Sequence, residues 1–316
     1  MGVTLERWGS FHVGGRRVVV QGQPLRQVQF APGNPPTPLD PNGTYLVGGL
    51  YVQFMQPTPQ RGACPLLFWH GGGLSGVTWE STPDGRDGWQ HFFLRQGWAT
   101  YVSDAVERGR SGWTMIPEQF GGEATYLPLE NPWPRFRFGP AMGQGFPGQQ
   151  FPLESYDNFI RQCVPRFTTT DEPTLEAYLA ELDRVGPCVI LGHSQAGQFG
   201  FRAAQARPEL VRALVLVEPA AMGDTAQVAA LRGVPVLLVY GDYIAGDARW
   251  PAMRERGLAF AAAIRAAGGS AEVMDLPAMG IHGNSHMVMM DRNSDQVAQL
   301  VQDWLAARGL WSRPGA

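Results

Sequence analysis

One serine in this chain stands where a nucleophile would be expected. It lies in Gly192-His193-Ser194-Gln195-Ala196-Gly197, directly after the apolar run Cys188-Val189-Ile190-Leu191 and before a helical pattern over 195–206. Strand, tight turn and helix in that order hold a serine at the apex of a strained turn, with its hydroxyl exposed. Neighbours two positions away must be small; Ala196, standing where a second glycine is usual, still fits. Well upstream, the apolar run 65–69 ends in His70-Gly71-Gly72-Gly73-Leu74-Ser75-Gly76. A glycine-rich loop after such a strand lets backbone N–H groups approach a developing oxyanion. Gly72 is the first candidate donor, and Gln195, the residue after the serine, is the second. Each such donor contributes roughly 3–4 kcal/mol to a transition state.

The general base has to come from His12, His70, His91, His193, His282 or His286. With a nucleophile on such a turn the chain order is serine, acid, histidine, so only His282 and His286 qualify. Both sit in Gly280-Ile281-His282-Gly283-Asn284-Ser285-His286, and position alone does not choose between them. Two histidines four apart could also share a helix face and bind zinc, but Gly283 makes a helix poor there. Two carboxylates compete as the acid. Asp242 ends the strand pattern 235–240, the usual place, and Glu218 ends the preceding one in Leu216-Val217-Glu218-Pro219. A glutamate closing a buried apolar strand is costly unless paired, which favours a functional role. Topology leaves the choice open.

The elements needed to position these groups are legible as short apolar runs alternating with helical patterns, the signature of a parallel sheet covered on both faces. Strands are expected at 65–69, 99–103, 188–191, 213–217, 235–240 and 271–274, and helices near 88–96, 173–185, 195–206, 252–267 and 293–308. The first 60 residues, with Arg17-Val18-Val19-Val20 and Tyr45-Leu46-Val47 around Pro41-Asn42-Gly43, read as an antiparallel lead-in. Residues 113–170 break the rhythm with Pro, Gly and aromatics, and a loop this long is usually functional. The expectation is one domain, 1–316, with 113–170 inserted over the active site as a lid. Leu74, Trp133, Phe138, Phe146 and Phe151 are then candidate walls of a roomy apolar pocket.

Composition narrows the rest. The chain has 316 residues, is 44% hydrophobic and 17% charged, and carries a formal net charge of −3, with no basic stripe to neutralise nucleic-acid phosphates. All 25 basic residues are arginine, so Ser-Lys dyads, Schiff-base lysines and a P-loop lysine are excluded. Cys64, Cys163 and Cys188 lack zinc spacing and would allow one disulfide and a free thiol. No run of 18 apolar residues is present, so no membrane span is expected. The N-terminal residues show no apolar signal region, which leaves a cytoplasmic location as an alternative to export. Neither charge pattern nor periodicity establishes a homodimer, although one is compatible with both.

Beyond these motifs the chain resembles the bacterial esterase 713-like branch of the α/β-hydrolases. The matching pieces are His70-Gly71, Leu74 and Gly76 with Thr78-Trp79-Glu80, Thr82-Pro83-Asp84-Gly85-Arg86, Arg108-Gly109-Arg110-Ser111 and Arg137-Phe138-Gly139-Pro140. Further matches are His193-Ser194-Gln195, Val217-Glu218-Pro219 and His282-Gly283-Asn284-Ser285-His286-Met287. The resemblance implies an α/β-hydrolase fold, Glu218 as the acid, His286 as the base, and secretion to the periplasm or beyond. One departure stands out: that esterase has two adjacent cysteines where this chain has Gly72 and Gly73, so vicinal-disulfide chemistry is absent. The resulting expectation is a serine esterase acting on bulky or aromatic small-molecule esters through an acyl-enzyme, with no metal or organic cofactor. The same residues could act on amide, lactone, carbamate or polyester bonds. A metallohydrolase built on His282 and His286, or a non-catalytic binding protein on the same fold, are the readings from other classes.

Overall fold

Successive side chains of a strand point to opposite faces, so a strand buried on both sides must be apolar at every position. The computed structural model, which describes residues 2–114, 116 and 121–312, bears this out in its central strands. Strand β1 (Leu5–Val20) runs first, then a small hairpin of β2 (Arg26–Val28) and β3 (Thr37–Leu39), then β4 (Gly43–Pro57). After these come β5 (Leu66–Trp69), β6 (Thr100–Asp104), β7 (Cys188–His193), β8 (Val211–Val217), β9 (Val236–Tyr240) and β10 (Ala271–Asp275). Eight strands form one sheet in the order β1-β4-β6-β5-β7-β8-β9-β10. The β1–β4 and β4–β6 pairs are antiparallel, and all pairs from β6 to β10 are parallel. The mixed sheet with antiparallel N-terminal strands is therefore present, and its inner strands fall within two residues of the sequence expectation.

Helices cover both faces. On one side Leu66, Phe68, Val189, Leu191, Val215 and Leu237 pack under α1 (Val77–Glu80), α2 (Trp89–Arg95) and α8 (Ser294–Ala306), with Trp79, Phe93, Val297 and Val301 buried between. The alternate residues Leu67, Trp69, Ile190, Leu214, Leu216 and Leu238 face α5 (Asp171–Val185), α6 (Ala196–Ala206) and α7 (Trp250–Ala266). Glu181 of α5 is fully buried, yet both its oxygens are used: Trp69 Nε1 donates at 3.0 Å and Ser103 Oγ at 2.6 Å. Burial still pushes its carboxyl up to about 8, so this group ties α5 to the sheet chiefly in its neutral form near pH 7.

Among its described residues the 113–170 segment holds two short α-helices, α3 (Pro132–Arg135) and α4 (Tyr156–Arg161), and a 3-10 turn at Leu153–Ser155. Aromatic packing organises the rest of it. Phe138 stacks on Phe151 at 3.9 Å, and Trp133 meets Tyr156 edge-on at 4.7 Å. No helix among the described residues is long and apolar enough to cross a membrane. All three cysteines are free thiols, so the disulfide allowed by their number is not formed.

Candidate active site

Chain reversals at the carboxyl ends of parallel strands bring the chemistry-bearing residues together, as in open α/β sheets generally. Ser194 follows β7, Glu218 follows β8, Asp242 follows β9, and the histidine loop follows β10. Ser194 has φ of +55°, a conformation that non-glycine residues rarely adopt. Its N–H donates to the Val217 carbonyl at 3.0 Å, and its own carbonyl accepts from Gly197 and Ala220, both at 3.0 Å. The turn is therefore pinned on both sides. Crowding falls on Gly197, where a Cβ would lie 2.7 Å from Pro219 Cβ and 2.8 Å from the Ala221 carbonyl, while Ala196 is fully buried without conflict.

His286 is buried in an aromatic sandwich. Its ring lies parallel to Phe136 at 5.4 Å and against Trp250 at 4.4 Å, and the backbone N–H of His286 donates to the Phe136 carbonyl at 2.9 Å. Nδ1 lies 3.2 Å from Glu218 Oε2. Burial lowers the imidazole pKa below its usual 6.5; Glu218 opposes that shift, and the charges of Arg137 and Arg249 add to it. Asn284 and Ser285 hold the loop by donating to the fully buried Asp291, whose carboxyl burial pushes up to about 7.

Glu218 also sits at positive φ, +53°, and has no solvent contact. Its other oxygen accepts from Arg137 Nη2 at 2.7 Å and from the Gly241 N–H at 2.5 Å. Burial alone would raise its pKa, but the Arg137 charge and the bonds from His286 and Arg137 bring it down to about 2. Arg137 is itself buried, lies over the Trp250 ring at 4.8 Å, and donates from Nε to the Asp242 carbonyl at 2.8 Å.

Asp242 faces elsewhere. Its carboxylate accepts from the Tyr243 and Gly283 N–H groups at 2.7 and 2.9 Å and lies 3.5 Å from His282, which is largely exposed. The two histidines thus face different carboxylates. A zinc site shared by His282 and His286 has no support in this arrangement.

Ser194, His286, Gly72 and Gln195 line one cavity of about 440 Å³. A Cβ on Gly71 would sit 3.0 Å from Ser194 Cβ, which measures how closely the glycine loop approaches the serine. Gln195 is the N-cap of α6, so its N–H points out of the helix end. His193 and His70 act as braces: His193 Nε2 contacts the His286 carbonyl at 3.0 Å, while His70 Nδ1 contacts the Gly71 carbonyl at 2.9 Å and its Nε2 accepts from Ala105 N–H.

The pocket walls differ from the sequence expectation. Leu74, Trp133, Phe138 and Phe151 lie inside the hydrophobic core and do not line this cavity; the Phe138 ring packs against both Trp133 and Phe151. Phe146 stacks on Tyr243 at 4.7 Å beside a separate, open hollow. The actual walls include Phe136, Ile160, Leu127, Trp250 and Met253. Arg137, Trp250 and Asp291 had no signal of their own in the sequence, apart from the place of Arg137 in a matching segment.

Removing the counter-charge of a fully buried carboxylate is severe. Arg137→Gln is expected to destabilise the fold by about 3–5 kcal/mol in urea unfolding at pH 7. Because the folded pKa of Glu218 is depressed, its stabilising contribution is present above its ordinary 4.5 and lost as pH falls toward about 2. The gap between wild type and variant should therefore narrow in acid.

No family model matches the chain. Among solved structures, a bacterial esterase described as novel is 37% identical, covers 98% of both chains and superimposes with a TM-score of 0.87. The chain belongs to that esterase branch of the α/β-hydrolase superfamily. Membership accounts for the sheet order and for the placement of this α/β-hydrolase's polar groups along one edge. Among curated proteins, a probable secreted lipase phiG of Fungal sp. (strain ATCC 74256) is 28% identical over 332 residues, which covers 83% of this α/β-hydrolase and 88% of the lipase.

Proposed function

We propose that the chain is a serine carboxylic ester hydrolase working through Ser194, His286 and Glu218. The observation that carries this reading is the buried His286–Glu218 contact of 3.2 Å, made beside a serine held at φ +55° on the same cavity. With Nδ1–H engaged by Glu218, the Nε2 lone pair is the basic position of the imidazole. His286 takes the Ser194 proton, the serine oxygen attacks the carbonyl, and Glu218 stabilises the imidazolium. The N–H groups of Gly72 and Gln195 receive the oxyanion. The imidazolium then protonates the departing alcohol, and a water activated in the same way releases the acid.

Ester bonds are favoured over amides, lactones or carbamates because the two relatives are named an esterase and a lipase. Phe136, Trp250, Ile160 and Met253 supply apolar walls that suit bulky or aromatic esters. The 113–170 segment serves as the cover of the site, since Leu127, Phe136 and Ile160 all come from it. The lipase named as secreted supports export for this chain as well.

The test is reaction with a fluorophosphonate probe, mapped by mass spectrometry, alongside a panel of p-nitrophenyl and aryl esters. A single adduct on Ser194 with ester turnover is expected. A folded protein that neither labels at Ser194 nor cleaves any ester would overturn the reading in favour of a binding protein. The pH profile gives a further expectation. A general base works only when neutral, and the pKa of His286 is lowered. The acid limb of kcat/KM should therefore fall below pH 6.5, with activity persisting further into acid than a free imidazole would allow.

A further inference from the structure

The cavity holding Ser194 is apolar in its walls yet cationic in its charge. Arg135, Arg166 and Arg249 all line it, against a single carboxylate among the described lining residues, Asp171. That carboxylate is engaged by amides: Gln195 Nε2 donates to it at 3.2 Å and Gln198 Nε2 at 2.8 Å. Arg249 lies at the rim, shared with the neighbouring open hollow, and its Nε is 4.0 Å from Asp247. Arg135 occupies the same rim and is exposed.

Arg166 is placed differently. It is half-buried, and among the described residues no carboxylate lies within ion-pair distance of it. Its Nε is shielded from solvent and lacks an acceptor among the described residues. Its backbone is fixed by reciprocal hydrogen bonds with Thr125, at 2.7 and 3.0 Å. The guanidinium lies directly over the glycine loop: a Cβ on Gly72 would come within 2.4 Å of Nη1, so glycine is what lets the cation lie there. Behind it Arg108 already has Glu107 at 3.3 Å. A half-buried guanidinium with no carboxylate partner among the described residues, beside the groups that surround a reacting carbonyl, is a poor neighbour for a neutral acyl chain. It matches a carboxylate in charge and in its two-pronged donor geometry.

Resting on the esterase reading above, we propose that the substrate carries a free carboxylate that Arg166 binds while Ser194 attacks the ester. Two sources share that chemistry: a hemiester of a dicarboxylic acid, with the anion on the acyl side, or an ester of a carboxyl-bearing phenol, with the anion on the leaving group.

The test compares each anionic ester with its neutral amide isostere. Monomethyl glutarate is set against methyl 4-carbamoylbutanoate, and 4-carboxyphenyl acetate against 4-carbamoylphenyl acetate. In wild type at least one anionic member should show kcat/KM higher than its isostere by roughly tenfold to a hundredfold, carried mainly by KM, as expected for a hydrogen-bonded charge pair. The pair with the larger ratio identifies the side on which the anion sits. Raising the ionic strength should shrink that ratio. In Arg166→Gln the ratio should collapse toward one, whereas Arg166→Lys, which keeps the charge, should restore part of it. A merely structural role for Arg166 would lower both members of a pair alike and leave the ratio intact. Ratios near one in wild type on both sides overturn the proposal while leaving the esterase reading standing. A collapse in Arg249→Gln but not in Arg166→Gln overturns the assignment to Arg166. Failure of wild type to cleave any of the four esters, with no adduct on Ser194, counts instead against the esterase reading.

Discussion

Replacing Ser194 by alanine is expected to lower kcat for ester hydrolysis by roughly 10⁴- to 10⁶-fold, with the fold retained. The size follows from how the proposed groups cooperate: without the nucleophile, the histidine and the glutamate have no covalent intermediate to form. What activity remains comes from the oxyanion donors and from binding alone. Stability should change little or rise slightly, because the +55° backbone strain at this position belongs to the turn and alanine has no hydroxyl to place. Steady-state assay on an aryl ester and thermal unfolding of the same preparation measure both effects. Turnover unchanged in the alanine variant would remove Ser194 from the mechanism.

The second large effect separates the two carboxylates. Glu218→Gln should lower kcat by roughly 10³- to 10⁴-fold, since an amide offers His286 a poor counter-charge and can impose the wrong tautomer. Asp242→Asn should cost only a few-fold, because its histidine partner, His282, is largely exposed and such pairs contribute about 0–1 kcal/mol. The glutamine variant also leaves Arg137 buried without its carboxylate, so unfolding must be followed alongside the rate. Arg137→Gln removes a direct hydrogen bond and counter-charge from the same carboxylate, so in the same assays it shows how far the rate follows that buried pair. If the aspartate change alone abolishes turnover, the proposed acid is wrong.

Much of the scaffold was legible in the sequence because inner strands of a parallel sheet cannot hide. Val189, Ile190 and Leu191 are apolar in succession, and so are Leu237, Leu238 and Val239; all are buried on one face or the other. The serine turn was legible for a related reason: a strained apex forces small residues, Gly192 and Ala196, two positions to either side of it. Carboxylate choice was not legible from spacing, and only the family resemblance pointed to Glu218. Both Glu218 and Asp242 end strands, and what separates them is direction, set by the +53° backbone at Glu218 and by the Gly283 and Tyr243 amides that hold Asp242 toward His282. The aromatic insertion misled for another reason. Trp133, Phe138 and Phe151 carry the same composition whether they line a pocket or fill a core, and two helices of four and six residues leave no periodicity to show which side faces inward. Arg137 was hidden more deeply, since nothing in a surface-loop composition marks one arginine as the buried partner of a residue 81 positions away.

That pairing has a consequence for how the molecule can diversify. The segment that walls the cavity through Phe136 also supplies, at the next position, the cation that neutralises Glu218 on the sheet. Specificity and the charge balance of the core are thus inherited together, and exchanging the whole segment for a foreign loop would strip a buried carboxylate of its counter-ion. New preferences can be reached by single replacements on the cavity side, at Phe136, Ile160 or Arg166, with residue 137 held constant. The insertion is in that sense graftable by residue but not by cassette.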